Sequence, residues 1–125
     1  MCVIGMAKKK ILVVEDEEEL LKIYGAILGE GGYDVDLVST GADAMKKATK
    51  GGYNLLMVDI KLPDVMGDEI VKDLRAQGDK TPIIIVTGYP SLSRSIDTLD
   101  LGIHEILIKP LTSTELLRVT KEALV

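Results

Sequence analysis

The chain alternates short, wholly apolar runs with longer segments in which apolar residues recur at helical spacing. Ile11-Leu12-Val13-Val14 is the first run. Consecutive apolar residues without polar alternation predict a strand buried on both faces. Residues 18–30 follow as a helix with Leu20, Tyr24, Ile27 and Leu28 on one face, ended by Gly31-Gly32. Val35-Asp36-Leu37-Val38 is a second strand, and its internal Asp36 predicts a half-exposed place at a sheet edge. Residues 41–50 form a small-residue helix with Ala44, Met45 and Ala48 inward, closed by Gly51-Gly52. Residues 55–58 are a third apolar strand, and the helix over 68–77 turns Ile70, Val71 and Leu74 to the core. Residues 82–86 form the fourth strand, 91–101 a helix ending at Gly102, and 106–108 the fifth strand. The last helix opens at Thr112-Ser113-Thr114-Glu115, a capping-box spacing, and runs to the end of the chain.

Strands that are apolar throughout, separated by helices, require a parallel sheet with helices on both faces. Right-handed crossovers leave few topologies, and with the second strand at an edge the order 2-1-3-4-5 fits best, a flavodoxin-like doubly wound α/β fold with five helices. The 125 residues make one domain, placed over 9–125 behind a tail at 1–8. Aromatic residues are only 3% of the chain, with no Phe or Trp, so the core is built from Ile, Leu, Val and Met.

Charge and cysteine content narrow the function classes. The net charge of −5 argues against direct nucleic-acid binding, which needs a basic patch; Lys8-Lys9-Lys10 is too short to supply one. The single cysteine, Cys2, makes neither an internal disulfide nor a zinc site, which places the chain in the cytoplasm by expectation. No apolar run approaches membrane-span length, so no membrane contact is expected.

Polar residues fall where the strands end. The first strand runs into Glu15-Asp16, the third into Asp59, the fourth into Thr87, and the fifth into Lys109-Pro110. In an open parallel sheet these ends share one rim, and ligands bind where the strand order reverses, here between the first and third strands. Three carboxylates in one crevice repel one another, and a hard divalent cation such as Mg²⁺ is the natural remedy. Lys109 adds a mobile positive charge suited to a phosphoryl group, and Thr87 a hydroxyl donor. A carboxylate nucleophile, a metal, a cation and a donor are the equipment for moving a phosphoryl group onto a carboxylate. Other features read as structural: Gly29 to Gly32 as a helix end, Glu17-Glu18-Glu19 as a solvated first turn, and His104 as a surface residue.

The segments ILVVEDEEEL, LLMVDIKLPDVMGDEI, PIIIVTGYP and EILIKPL, in that order and spacing, resemble the receiver domain of two-component response regulators over roughly residues 9–125. The resemblance implies that Asp59 is the phosphoacceptor. It implies that Asp16, Asp59 and the backbone carbonyl of Lys61 bind Mg²⁺, with Glu15 acting through metal-bound water. It gives Thr87 and Lys109 to the phosphoryl oxygens and makes the Lys109-Pro110 bond commonly cis. It also implies a histidine kinase or phosphotransfer protein as donor, and a downstream protein partner at the face of helix four, strand five and helix five.

The sequence departs from the family pattern in places. Glu15 replaces a commoner Asp, Gly88 a frequent Ala, and Ile106 stands where many members carry an aromatic ring that takes part in the readout. Lys61 and Tyr89 flank the site at positions that tune dephosphorylation in the family. The expected function is therefore a phosphorylation-controlled switch that catalyses only its own modification. Two other readings stand beside it. One is a non-phosphorylated interaction module on the same fold, which Ile106 leaves open. The other is an aspartyl-nucleophile hydrolase of the haloacid dehalogenase type, against which Lys61 counts, since those enzymes place a second Asp there.

Overall fold

The computed structural model describes residues 8–97 and 99–125; Cys2 and all of the predicted tail except Lys8 lie outside them. Strands β1 (Lys10–Val14), β2 (Asp34–Val38), β3 (Leu55–Asp59), β4 (Ile83–Thr87) and β5 (Glu105–Ile108) form one parallel sheet in the order β2-β1-β3-β4-β5. The helices are α1 (Glu18–Glu30), α2 (Gly41–Lys50), α3 (Gly67–Ala76), α4 (Pro90–Asp97) and α5 (Ser113–Ala123).

Side chains alternate across a strand, so each apolar run feeds two cores. Leu12, Val14, Leu56, Val58, Ile83 and Ile85 meet Ala44, Ala48, Ile70, Val71, Leu74 and Ile96 from α2, α3 and α4. On the other face Ile11, Val13, Leu55, Met57, Ile84 and Val86 meet Leu21, Tyr24, Leu28, Leu116 and Val119 from α1 and α5. Burying each of the larger aliphatic side chains contributes about 1.5–3 kcal/mol, and this double layer holds the strand ends rigidly.

The predicted elements are present, with adjustments that have physical causes. The buried stripe of α1 is Leu21, Tyr24 and Leu28, while Leu20 and Ile27 pack only partly. Helix α4 ends at Asp97, short of the expected 101. The guanidinium of Arg75 on α3 donates to the carbonyls of Leu101 (2.7 Å), Asp79 and Thr81 (both 2.9 Å) and Gly102 (3.3 Å). Those bonds tie the chain after α4 to α3, and Asp100 and Gly102 turn it with positive φ. Helix α5 stops at Ala123, and Thr112 caps its start by accepting from the Glu115 N–H at 3.0 Å. At the β2 edge Asp36 is half-buried and accepts from the Tyr53 hydroxyl at 2.6 Å. A charge on an edge strand discourages pairing with another chain. Among the described residues no helix is long and apolar enough to cross a membrane.

Candidate functional site

The carboxyl ends of β1, β3, β4 and β5 converge on a cleft of about 460 Å³ lined by Asp16, Glu17, Asp59, Lys61, Gly88, Tyr89 and Lys109. A larger groove of about 650 Å³ lies between α1, the end of β2 and α2, lined by Glu18, Lys22, Asp43, Lys46 and Lys47 among others, and shares none of its lining with this cleft. Carboxylate oxygens of Glu15, Asp16 and Asp59 lie within 4.8 Å of one another. Adjacent residues at the end of β1 divide the work. Asp16 is exposed to the cleft, whereas Glu15 is 1% exposed beneath it. Asp59 is 6% exposed, held by the buried end of β3 yet reaching the cleft wall.

Lys109 joins the acids. Its ammonium donates to Glu15 Oε1 at 2.6 Å and to Asp59 Oδ2 at 3.2 Å. Its own N–H donates to the Thr87 carbonyl at 2.8 Å, and the following Lys109-Pro110 bond is cis. Glu15 Oε2 accepts from the Glu17 N–H at 3.1 Å. Burial pushes the Glu15 carboxyl up to about 7, and Asp59 adds to the rise, against the pull of Lys109 and the Glu17 N–H. Burial disfavours the Lys109 ammonium, but its bond to Glu15 and the two neighbouring negative charges outweigh that and raise its pKa, so it stays positive at neutral pH.

Three carboxylate oxygens within 4.8 Å of one another, an adjacent ammonium and an open cleft fit a hard oxygen-seeking dication that keeps some of its waters. Thr87 is fully buried, and its hydroxyl accepts from the Tyr89 N–H at 3.0 Å. Lys61 Nζ lies 4.2 Å from the centre of the Tyr89 ring at the cleft mouth. Of the residues singled out from sequence, Asp16, Asp59, Lys61 and Lys109 line the cleft, Glu15 lies under it, and Thr87 sits one residue behind its wall.

A profile of the response regulator receiver domain matches residues 11–121. The chain belongs to this family. The receiver domain is 34% identical over 119 residues to the uncharacterized transcriptional regulatory protein YkoG of Bacillus subtilis, covering 95% of this chain and 52% of that protein. It is 36% identical over 108 residues to the transcriptional regulatory protein PcoR of Escherichia coli, covering 86% and 48% respectively. The chain thus spans about half the length of these curated relatives. Among solved structures, the CheY-like receiver domain protein of Methanospirillum hungatei superposes with a TM-score of 0.87 at 34% identity over 94% of each chain. The response regulator TrrA of Thermotoga maritima, in complex with Mg²⁺-BeF, gives 0.84 at 30% identity over 92% of this chain and 98% of that one.

The loop after β3 shapes one wall of the receiver site by contacts the sequence reading did not single out. Asp64 reaches back to the start of α2, accepting from the N–H groups of Gly41 (2.8 Å) and Ala42 (2.9 Å). Those two bonds hold its carboxyl below the usual carboxylate range. Gly67 donates to the Ile60 carbonyl at 2.6 Å, and Lys61 bridges to Met66, so the loop closes tightly. A Cβ on Gly67 would stand 2.1 Å from the Asp59 carbonyl oxygen. Gly67→Ala must therefore displace the backbone of Asp59 or of α3. It is expected to cost about 2–3 kcal/mol of stability in urea denaturation, and to slow any chemistry at Asp59 along with it.

Proposed function

We propose that this receiver domain is a signalling switch that accepts a phosphoryl group on Asp59 from the phosphohistidine of a histidine kinase or phosphotransfer protein. The observation that carries this reading is the Asp59 carboxylate in the wall of an open cleft, with an Asp16 oxygen within 4.8 Å and the Lys109 ammonium at 3.2 Å. An Asp59 oxygen attacks phosphorus, the bond from phosphorus to the donor's imidazole nitrogen breaks, and an acyl phosphate forms. Asp16, Asp59 and the Lys61 carbonyl would hold Mg²⁺, with Glu15 behind them. The ion, when bound, supplies positive charge that offsets the clustered acids and the incoming phosphoryl oxygens. Lys109 leaves its contact with Asp59 to pair with a phosphoryl oxygen and retains Glu15 as its second partner. A rigid β3 keeps the nucleophile aimed, which is where much of the rate of a transfer reaction originates.

The new charge draws Lys109 and the Thr87 hydroxyl toward it, and these residues sit at the ends of β5 and β4. Their shift biases the α4–β5–α5 face, which meets a downstream protein partner. Moving such a face from 1:99 to 99:1 takes about 5.5 kcal/mol of differential stabilisation. Amide spectra recorded with Mg²⁺ and BeF test the switch. Shifts are expected both around the cleft and along α4, β5 and α5. Shifts confined to the cleft would instead describe a passive module, the reading Ile106 leaves open.

A further inference from the structure

The one histidine of the chain is not used by the phosphoryl site. His104 lies just before β5, at the opposite end of that strand from Lys109, and its backbone N–H donates to the Ile83 carbonyl at 2.8 Å. Beside it are Glu105, the first residue of β5, and Glu122 in the last turn of α5. One potential ligand atom from each of the three lies within 4.8 Å of the others. We propose that His104, Glu105 and Glu122 form a second metal site, selective for a zinc-type divalent ion and separate from the Mg²⁺ pocket.

The ligand chemistry separates the two sites. Imidazole nitrogen suits zinc and its neighbours in the first transition row, and zinc accepts His with Glu in open four-coordinate sites. Mg²⁺ prefers oxygen alone and gives up water reluctantly. Ligands of a tetrahedral zinc ion at about 2.0 Å stand roughly 3.3 Å apart. The cluster thus needs at most about 1.5 Å of side-chain closure to become a site, which exposed His104 and Glu122 can make without moving β5 or α5. Water completes the fourth position.

Arg118 is the local competitor, since one guanidinium nitrogen donates to both oxygens of Glu122, at 3.2 and 3.1 Å. That pair is about half exposed on both sides and is therefore weak. An ionised carboxylate has about four acceptor positions, so the contact orients Glu122 without using it up. A bound ion would staple the start of β5 to the end of α5.

The test is a Zn²⁺ titration of untagged protein in excess Mg²⁺, following the ring signals of His104, which no other histidine obscures. The ring signals are expected to shift on binding. Glu122→Gln is expected to weaken that binding by about tenfold or more, as losing even an outer-sphere partner of a metal commonly does, and His104→Ala to remove one bound equivalent of Zn²⁺. Both variants should keep the wild-type unfolding midpoint. Ring signals unmoved by Zn²⁺, or uptake that survives His104→Ala unchanged, would overturn the proposal by assigning the ion to the acidic cleft.

Discussion

Lys109→Met is expected to lower the unfolding free energy by about 3 kcal/mol at neutral pH, as removing one member of a buried ion pair does. The ammonium is the one cation bonded to Glu15 and Asp59 among the described residues, and Glu15 is almost fully buried. Methionine fills the space of the lysine stem but leaves both acids facing each other. Protonation limits the damage, because Glu15 already holds its proton up to about pH 7. The loss should therefore be smaller in acid than in alkali, and urea denaturation of wild type and variant near pH 5 and pH 8 measures both. A loss under about 1 kcal/mol at pH 8, typical of exposed pairs, would mean that the lysine does not hold these carboxylates together.

The metal-free protein is expected to lose stability as pH rises from about 5 to 8, and Glu15 is the group responsible. Its carboxyl is moved from 4.5 to about 7, so the folded state binds a proton more tightly than the unfolded chain does. A raised folded value means stability fully present below the unfolded value and lost as pH passes the folded one. Ionising this group completely costs about 3 kcal/mol, as an upper figure. Lys109 is shifted upward from 10.5, and its contribution disappears only above that value, outside this window. Asp64 lies below its ordinary 3.8, so its contribution is complete before the window begins. Glu15→Gln should flatten the profile between about pH 5 and 8. Added Mg²⁺ should restore stability to the wild type most strongly at the alkaline end, where the cleft carries most negative charge. A wild-type profile that is flat, or that rises with pH, contradicts the assignment.

Much of this arrangement was legible in the chain because the physics behind it is local. Four consecutive apolar residues at Ile11 to Val14, and again at Leu55 to Val58, have only one comfortable home, a strand covered on both faces. Once the strands are parallel, Glu15, Asp16, Asp59, Thr87 and Lys109 must share a rim, and the sequence reading placed them there. Neighbouring residues on a strand end point opposite ways. Which of Glu15 and Asp16 is buried depends on how β1 sits between α1 and the rest of the sheet, and only the folded chain decides it. The end of α4 was misplaced because Arg75, some 26 residues away from Leu101, competes for the carbonyls there. Asp64 escaped notice for the same reason, and so did the close approach of the Asp59 carbonyl to Gly67. Asp64 acts on Gly41 across 23 residues, and Gly67 matters because the Asp59 carbonyl crosses its vacant Cβ position. A Pro-Asp pair after the third strand was the only written sign of the first, and a glycine at a helix start the only sign of the second.

The measurement that bears most directly on the central claim is the intact mass of the protein after incubation with a small phosphodonor. With phosphoramidate and Mg²⁺, wild type should gain the mass of one phosphoryl group. That gain should vanish in Asp59→Asn and when the metal is chelated. No gain in the wild type, or the same gain in Asp59→Asn, would contradict the assignment of Asp59 as the acceptor.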